Sequence, residues 1–298
     1  MELQIIPSLE IDKQRWDDCI ANSTTPLIYA KSFYLNFLAD NWSAIIADDY
    51  EFVMPVPWRK KYGIKYCYHV PFIQQLGVFG QNLNEDILIT FQKKLNEFVS
   101  YGDYAFNYSN VISAAVARNN YILPLSSKYE ITREFFSSSH LGNISKAEKN
   151  SLQYLPGEVD EAIDLFKSLY AKRLKNLNET AYKNFSELCN HLNKENNVIV
   201  RKVVSNNETL SCALLLKDER RLYNLMPSTT EKGKQFSAGH FLFDCLIKEF
   251  SHTGMILDFE GSDIPGIESF YKSFGAVNQQ YYQTHINSLP FLLRFFKR

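Results

Sequence analysis

The sequence predicts an α+β protein of two tandem domains, each built on a mixed, mostly antiparallel sheet flanked by helices. The chain has 298 residues, of which 45% are hydrophobic, so it is long and apolar enough for two cores of ordinary size. Apolar segments with strand and helix periodicity alternate along both halves. Serine-rich segments between Ser126 and Ser139 separate these halves, so the expected domains are residues 1–130 and 131–298.

In the first half, strand patterns precede a helix. Residues 43–46 and 50–57 are apolar segments separated by aspartates, which predicts a hairpin. Asn84 is the expected N-cap of a helix, because acidic residues follow it and the next apolar residues fall on one helical face. Strand-like segments follow at residues 104–108 and 121–125.

The second half has a clearer alternation of elements. An amphipathic helix over residues 159–170 comes first, and an antiparallel meander follows it. The order β-β-β-α-β-α-β then predicts a meander that ends in a βαβ crossover, which is a mixed sheet with helices on its faces. The expected elements after the first helix are strands 197–204, 209–216 and 221–226, helix 238–250, strand 255–259, helix 264–274 and strand 277–285.

Composition excludes several classes of function. The 32 basic and 33 acidic residues give a net charge of -1, which leaves no electrostatic footprint for duplex nucleic acid. No run approaches the roughly 18 apolar residues of a membrane span, and the N-terminus lacks a signal-peptide pattern. Five isolated cysteines favour neither a disulfide framework nor a metal site. We therefore expect a cytoplasmic protein with no transmembrane segment and no metal.

The first candidate site lies where the meander meets the next helix. Small residues there let backbone amides approach a ligand, and a helix N-terminus offers unpaired N–H groups with the positive end of the dipole. This pattern is typical of a seat for pyrophosphate or carboxylate. The alternative is a strand-to-helix turn whose small residues only permit close packing. The candidate cofactor-binding residues are Gln235, Ser237, Ala238, Gly239 and His240.

A second candidate site follows the buried strand near residue 258. Asp258 and Glu260 point to one strand face, where neighbouring carboxylates can produce a general base. Tyr271, on the next helix, is a candidate proton donor. We expect Glu260 and Tyr271 to be catalytic and Asp258 to bind substrate. The alternatives are a structural hydrogen bond for Glu260 and simple packing for Tyr271.

Two further features stand apart from these sites. Gln74 and Gln75 interrupt an apolar run, so we expect them to line a cleft and bind substrate. The aromatic and basic tail over residues 291–298 is too short for stable membrane anchoring, and docking onto the domain is the favoured interpretation.

The motifs resemble those of a known superfamily. The second-half order, with small residues opening the helix after the meander, is similar to the GNAT fold of N-acetyltransferases, where this turn cradles the pyrophosphate of acyl-CoA. Residues 49–63 with 74–79, and residues 257–262 with 270–276, resemble FemAB-like proteins of the bacterial "acetyltransferase 6" type. The resemblance covers nearly the whole chain and implies two GNAT-like domains in tandem.

The resemblance implies an acyltransferase that moves an acyl group from a small-molecule thioester, acyl-CoA, to an amine acceptor. Two alternatives remain open. One is an aminoacyl-tRNA-dependent transferase acting on peptidoglycan, although the near-neutral charge and the missing long helical arm count against tRNA. The other is a catalytically silent GNAT-like binding module, which is favoured by a donor loop whose glycine, Gly239, is shifted by one position from the family pattern.

Overall fold

The computed structural model describes residues 2–174, 177–261 and 263–290, and the chain divides into two compact units. Unit 1 comprises residues up to Arg118 together with the segment that begins at Gln280, and unit 2 comprises Asn119–Gln279. This division differs from a single boundary at 130/131. The chain returns to unit 1 because residues 281–287 form a strand that pairs with two strands of that unit. The tail over residues 291–298 lies outside the described residues.

Unit 1 is built on an eight-stranded sheet with helices before, between and after its first strands. Its elements are β1 (Leu3–Pro7), α1 (Lys13–Asn22), α2 (Ser32–Leu38), β2 (Trp42–Ala47), β3 (Phe52–Lys61), β4 (Ile64–Cys67), β5 (Phe79–Gly80), α3 (Glu85–Phe98), β6 (Tyr101–Phe106), β7 (Val116–Arg118) and β15 (Tyr281–Asn287).

The sheet of unit 1 has the order β1-β2-β3-β4-β6-β15-β7, and β5 pairs with β3. Its strand pairs are antiparallel except for β4 with β6. The predicted hairpin is confirmed, because β2 and β3 pair from Trp42 opposite Pro57 to Ala47 opposite Phe52. The predicted cap is confirmed as well: the Asn84 side chain accepts a hydrogen bond of 2.9 Å from the Ile87 N–H.

Unit 2 is built on a seven-stranded sheet in which the predicted meander and crossover are both present. Its elements are β8 (Tyr121–Pro124), α4 (Tyr129–Arg133), α5 (Ser138–Glu148), β9 (Gln153–Pro156), α6 (Val159–Tyr170), α7 (Glu179–Asn193), β10 (Val198–Ser205), β11 (Glu208–Lys217), β12 (Arg221–Thr229), α8 (Glu231–Gln235), α9 (Ala238–Phe250), β13 (Ile256–Asp258), α10 (Pro265–Lys272) and β14 (Val277–Asn278).

The strand order in unit 2 is β14-β8-β13-β12-β11-β10-β9. Strands β10, β11 and β12 form the antiparallel meander, and α9 then crosses over to β13, which runs parallel to β12. The other pairs of this sheet are antiparallel. The predicted fold class, α+β with mixed and mostly antiparallel sheets, is therefore confirmed.

The core of unit 2 follows from strand alternation and helix periodicity. Ala213 and Leu215 of β11 belong to one buried apolar cluster with Leu242 and Leu246 of α9. Intervening residues such as Leu214 point to the opposite face, because successive strand residues alternate. Helix α6 contacts β11 and β12 and buries its own apolar stripe. The sheet is thus covered by helices on both faces, which leaves strand ends as places for chemistry.

One predicted strand is divided in the structure. Residues 277–285 read as a single strand, yet β14 pairs with β8 of unit 2 whereas β15 pairs with β6 and β7 of unit 1. The chain passes from one unit to the other at residues 279–280. A continuous strand-like pattern does not specify which sheet supplies the hydrogen-bond partners, so the sequence could not indicate this division.

Candidate functional site

The two parallel strands of unit 2 diverge. They pair over three positions, from Arg221 opposite Ile256 to Tyr223 opposite Asp258. Strand β12 continues to Thr229, whereas the chain after Asp258 pairs with β8 through the Phe259 N–H and the Tyr121 carbonyl, 2.9 Å apart. A bulge in β12 lies at the same place, because Leu214 pairs with Met226 while Leu215 pairs with Asn224. The divergence opens the sheet at the carboxyl ends of parallel strands, where α/β proteins commonly bind ligands.

Asn224 is the first residue of β12 beyond the parallel pairing. Its side chain is 1% exposed, and neither its Oδ1 nor its Nδ2 has a hydrogen-bond partner among the residues that the structure describes. Buried polar side chains are nearly always hydrogen-bonded, so such a carboxamide needs an explanation. The sequence analysis did not identify this residue, since a single asparagine in a strand carries no local signal.

Asp258 lies in a buried ion pair. Its Oδ2 accepts hydrogen bonds from Arg221 Nη1 and Asn120 Nδ2, and Arg221 Nη2 also donates to Gln279 Oε1 at 2.8 Å. Asp258 and Arg221 are 1% and 2% exposed. Burial raises the pKa of Asp258, and the Arg221 guanidinium and the Glu260 N–H act in the opposite direction. This carboxylate therefore holds β12, β13 and the segment after β14 together.

Glu260 follows β13 in the left-handed backbone region, with a φ of 68°. Its N–H donates to Asp258 Oδ1 at 3.0 Å, and its side chain is half-buried. A non-glycine residue at positive φ is uncommon and persists where its surroundings stabilise it. The ion-paired Asp258 thus fixes the backbone from which the Glu260 carboxylate projects.

Tyr271 packs beneath this segment. Its ring stacks on Phe259 with centroids 4.8 Å apart, and the residue is 6% exposed. Burial raises the pKa of Tyr271 strongly, and the charges of Glu260 and Asp258 raise it further. The hydroxyl is therefore protonated at neutral pH. The structure brings the two predicted catalytic residues, Glu260 and Tyr271, within electrostatic reach of each other.

The predicted donor turn contains an extra helical turn. Helix α8 begins after Thr230, whose hydroxyl accepts the Gly233 N–H at 3.0 Å, and it ends at the exposed Gln235. Ser237 then adopts a φ of 58° and precedes α9. Its hydroxyl donates to Asn143 Oδ1 at 2.8 Å instead of capping α9. The N–H groups in the first turn of α9 are thus left without a side-chain cap from Ser237.

Ala238 and Gly239 in the first turn of α9 are buried. A Cβ added at Gly239 would lie 3.0 Å from the Thr229 hydroxyl of β12, which is tighter than ordinary contact. Gly239 therefore lets α9 approach the end of β12 closely. This places the N-terminus of α9 beside the extension of β12 that passes β13.

His240 forms a pair with a histidine of α5 that no motif in the sequence singles out. His140 of α5 is fully buried, and the two Nδ1 atoms lie 2.8 Å apart. Burial lowers the pKa of His240 to about 4, and burial together with His240 lowers the pKa of His140 to about 3, so both rings are neutral at pH 7. Phe136, Phe270 and Phe274 surround the pair.

The hydrogen-bond pattern assigns the tautomers of this pair. Within the described chain, His140 Nε2 is buried with no partner. A buried N–H without a hydrogen-bond partner is rarer than a buried acceptor without one. We therefore treat Nε2 as the acceptor and assign the proton of His140 to Nδ1. His140 then donates to His240 Nδ1, and His240 Nε2 carries a proton. A hundred residues separate the two histidines, so only the fold brings them together.

Gln74 and Gln75 lie in unit 1 and differ in environment. Gln75 is fully buried; its Nε2 donates to Gln74 Oε1, and its Oε1 accepts the Tyr108 N–H at 3.1 Å. Gln74 lines a cleft of about 160 Å³. Gln75 thus supports the loop, and Gln74 faces the cleft. Other polar residues that line this cleft are Tyr68, His69, Asp103 and Gln283.

Among the described residues, no helix is both long enough and apolar enough to cross a bilayer.

Comparisons with known proteins concern the fold and the domain in unit 2. Residues 143–273, which lie within unit 2, match the family model described as "Acetyltransferase (GNAT) domain". The crystal structure of FemX is 13% identical, with full coverage of both chains and a TM-score of 0.68. A tandem GNAT protein from the clavulanic acid biosynthesis pathway is 9% identical, covers 97% of this chain and 99% of its own, and has a TM-score of 0.57.

A conserved protein of unknown function from Bacteroides thetaiotaomicron VPI-5482 is 10% identical, with 93% of this chain and 98% of that chain covered and a TM-score of 0.60. No curated protein matches the sequence. Residues 143–273 of unit 2 thus form a GNAT acetyltransferase domain. The fold of the chain is that of the tandem GNAT proteins, as its motifs predict, and it is similar to the fold of FemX.

Proposed function

We propose that the protein transfers an acyl group from acyl-CoA to an amine acceptor, and that unit 2 binds the donor. The observation that carries this proposal is the divergence of β12 from β13 beside the N-terminus of α9. An extended thioester can lie along the free edge of β12, and its pyrophosphate can meet the first turn of α9. Both requirements of the donor are thus met within one unit.

Uncapped amides support the donor site. The first four N–H groups of a helix have no partner within the helix, and the dipole favours an anion there. The Ser237 hydroxyl is engaged with Asn143, so these amides stay available to phosphate oxygens. The assigned tautomer adds the His240 Nε2–H, a neutral donor in the same turn. We assign the pyrophosphate seat to residues 237–240, with Gln235 at its rim.

Glu260 and Tyr271 are the proposed catalytic residues. The amine attacks the thioester carbonyl, which forms the C–N bond, and Glu260 accepts the proton that the amine loses. Backbone donors of β12 stabilise the oxyanion. The C–S bond then breaks, and the Tyr271 hydroxyl, which is protonated at neutral pH, donates its proton to the departing thiolate. Asp258 acts through the backbone of Glu260, so we propose that it positions this residue.

Gln74 is a proposed substrate contact, because it lines a cleft of about 160 Å³. Replacement of Gln74 by Ala is expected to raise KM for the acceptor and to leave the Kd for CoA unchanged. Loss of CoA binding in this variant would contradict the assignment.

Calorimetric titration with CoA and acetyl-CoA at low ionic strength tests the donor site. Gln235→Glu places a negative charge at the rim of the seat, and we expect Kd to rise about three- to tenfold through repulsion of the pyrophosphate. Lys248→Gln is the matched control, because it makes the same change in net charge at the exposed far end of α9. Equal effects of the two variants would contradict the proposed seat.

Two alternative functions would give different results with the same purified protein. An aminoacyl-tRNA-dependent transferase would show a salt-sensitive tRNA shift in a gel assay and would not bind CoA. A catalytically silent module would bind CoA or a partner without transferring the acyl group. We place the reaction in the cytoplasm, since acyl-CoA is an intracellular donor and the five cysteines are free thiols.

A further inference from the structure

The side chain of Asn224 is unusual for a strand in an apolar core. Its register partner is Leu215, and Leu222 precedes it on the same face of β12. Both leucines are fully buried in the apolar cluster beneath α9. A carboxamide in such surroundings loses its hydration, and among the described residues nothing replaces it. A leucine has the same branching and number of side-chain heavy atoms and would not carry that loss.

The position of Asn224 relative to the strand divergence indicates what supplies the missing partners. The parallel ladder ends at Tyr223 opposite Asp258, so Asn224 is the first residue of β12 without a paired residue on β13. The bulge that follows it at Leu225 further separates β12 from a regular ladder. Asn224 therefore lies at the position along β12 where the sheet opens, next to the proposed path of the thioester.

We infer that Asn224 is a specificity-determining residue that hydrogen-bonds to a polar group on the transferred acyl chain. This inference rests on the proposed function. A carboxamide offers a donor and an acceptor together, so the matching acyl group carries a hydroxyl or amino group near its carbonyl. Hydroxyacyl and aminoacyl groups fit this description. An alkyl group of the same size leaves both polar atoms of Asn224 unpaired.

Two thioesters of equal size test the inference. Hydroxyacetyl-CoA and propionyl-CoA differ only by a hydroxyl in place of a methyl group. We expect wild-type protein to bind hydroxyacetyl-CoA at least about tenfold more tightly, because a site built to hydrogen-bond a hydroxyl discriminates strongly against its alkyl analogue. The readout is Kd from calorimetry without an acceptor, so no turnover is required.

Asn224→Leu is the diagnostic variant, since it keeps the branched shape of the side chain and removes the amide. We expect it to lose the preference for hydroxyacetyl-CoA, to bind free CoA as wild type does, and to have an equal or higher Tm. Ser228→Ala is the matched control: it removes another buried hydroxyl of β12 that is unpartnered in the described structure. It is expected to retain the preference of the wild type.

The possible failures are distinguishable. If wild-type protein binds CoA but shows equal affinity for the two thioesters, the inference is overturned and the proposed donor site stands. A clear fall in Tm for Asn224→Leu with an unchanged preference also overturns it, because Asn224 would then be a structural residue. If free CoA does not bind at all, the proposed function fails, and the inference fails with it.

Discussion

Two buried asparagines, one in each unit, have opposite environments. In unit 1, Asn110 accepts the Val78 N–H at 2.7 Å and donates to the Val78 carbonyl at 3.1 Å, so its amide replaces the strand partner of an irregular segment. In unit 2, Asn224 has no such partners in the described chain. The buried Asn110 side chain thus stabilises the fold of unit 1 through its hydrogen bonds. The buried Asn224 side chain of unit 2 has a donor and an acceptor that the described residues do not use.

The comparison yields a rule: the stability lost on replacing a buried polar group should follow the number of protein partners that it has. Removal of a group with many partners should destabilise the protein, and removal of a group without partners should leave its stability nearly unchanged.

Asp258→Asn should have the largest effect. It removes the charge that pairs with the buried Arg221, and an uncompensated buried charge costs about 3–5 kcal/mol of unfolding free energy. Chemical denaturation measures this loss. The double variant Asp258→Leu/Arg221→Met is the control, and it should recover most of the stability. A stable single variant would mean that Asp258 is available to bind substrate, as the sequence analysis expected.

Asn110→Leu should lower the free energy of unfolding by about 2–3 kcal/mol, because it leaves the N–H and the carbonyl of Val78 unpaired in a buried site. Asn224→Leu, with the same change of side chain, should lower it by less than about 0.5 kcal/mol or raise it. Denaturation curves of the two variants give the contrast directly. Similar losses of unfolding free energy in both variants would contradict the distinction between the two asparagines.

Glu260→Gln should lower turnover at least about tenfold, which corresponds to about 1.4 kcal/mol of transition-state stabilisation. Its effect on Tm should be small, because the backbone hydrogen bond to Asp258 is retained. Glu268→Gln is the matched control, since it removes a carboxylate that pairs with Lys272 on α10. Steady-state kinetics with saturating donor distinguish the two, and unchanged turnover in Glu260→Gln would exclude it as the base.

Local patterns in the sequence predicted the elements well. Helices over residues 159–170 and 238–250 have the predicted bounds, because an amphipathic stripe with strong periodicity fixes both ends. The meander of β10, β11 and β12 and the crossover to β13 followed from the same reasoning, whereas the position of β8 between β13 and β14 did not. The division of the last predicted strand between two sheets was not predictable, since strand residues with the same pattern suit either sheet.

The candidate site was predictable only in part. Glu260 and Tyr271 lie close along the chain, and the strand-then-helix pattern brought them into one hypothesis. Arg221 is 37 residues from Asp258, so local sequence patterns could not predict their ion pair. His140 pairs with His240 only because long-range packing brings the two side chains together. Long-range packing also determines that the side chain of Asn224 has no hydrogen-bond partner among the described residues. No local sequence motif indicates either feature.

The histidine pair gives a moderate expected effect, which depends on pH. Folding lowers the pKa of His240 to about 4 and that of His140 to about 3, from ordinary values near 6.5. The unfolded chain therefore binds protons at these residues while the folded chain does not. Stability is fully present above about pH 6.5 and falls as pH decreases toward the folded pKa values, because a proton-binding unfolded state is favoured by acid.

Comparison of wild type with His140→Asn isolates one imidazole of this pair. Asparagine can still donate a hydrogen bond to His240 Nδ1 but does not titrate. Between pH 7.5 and 5.5, wild type should lose about 1 kcal/mol more unfolding free energy than the variant. Denaturant titrations at both pH values give the change in unfolding free energy with pH for each protein. A destabilisation by the substitution that is the same at both pH values cancels when these two changes are compared. Identical pH dependence would mean that folding leaves the pKa of His140 unchanged, which would contradict the neutral, buried ring from which the tautomer of His240 is assigned.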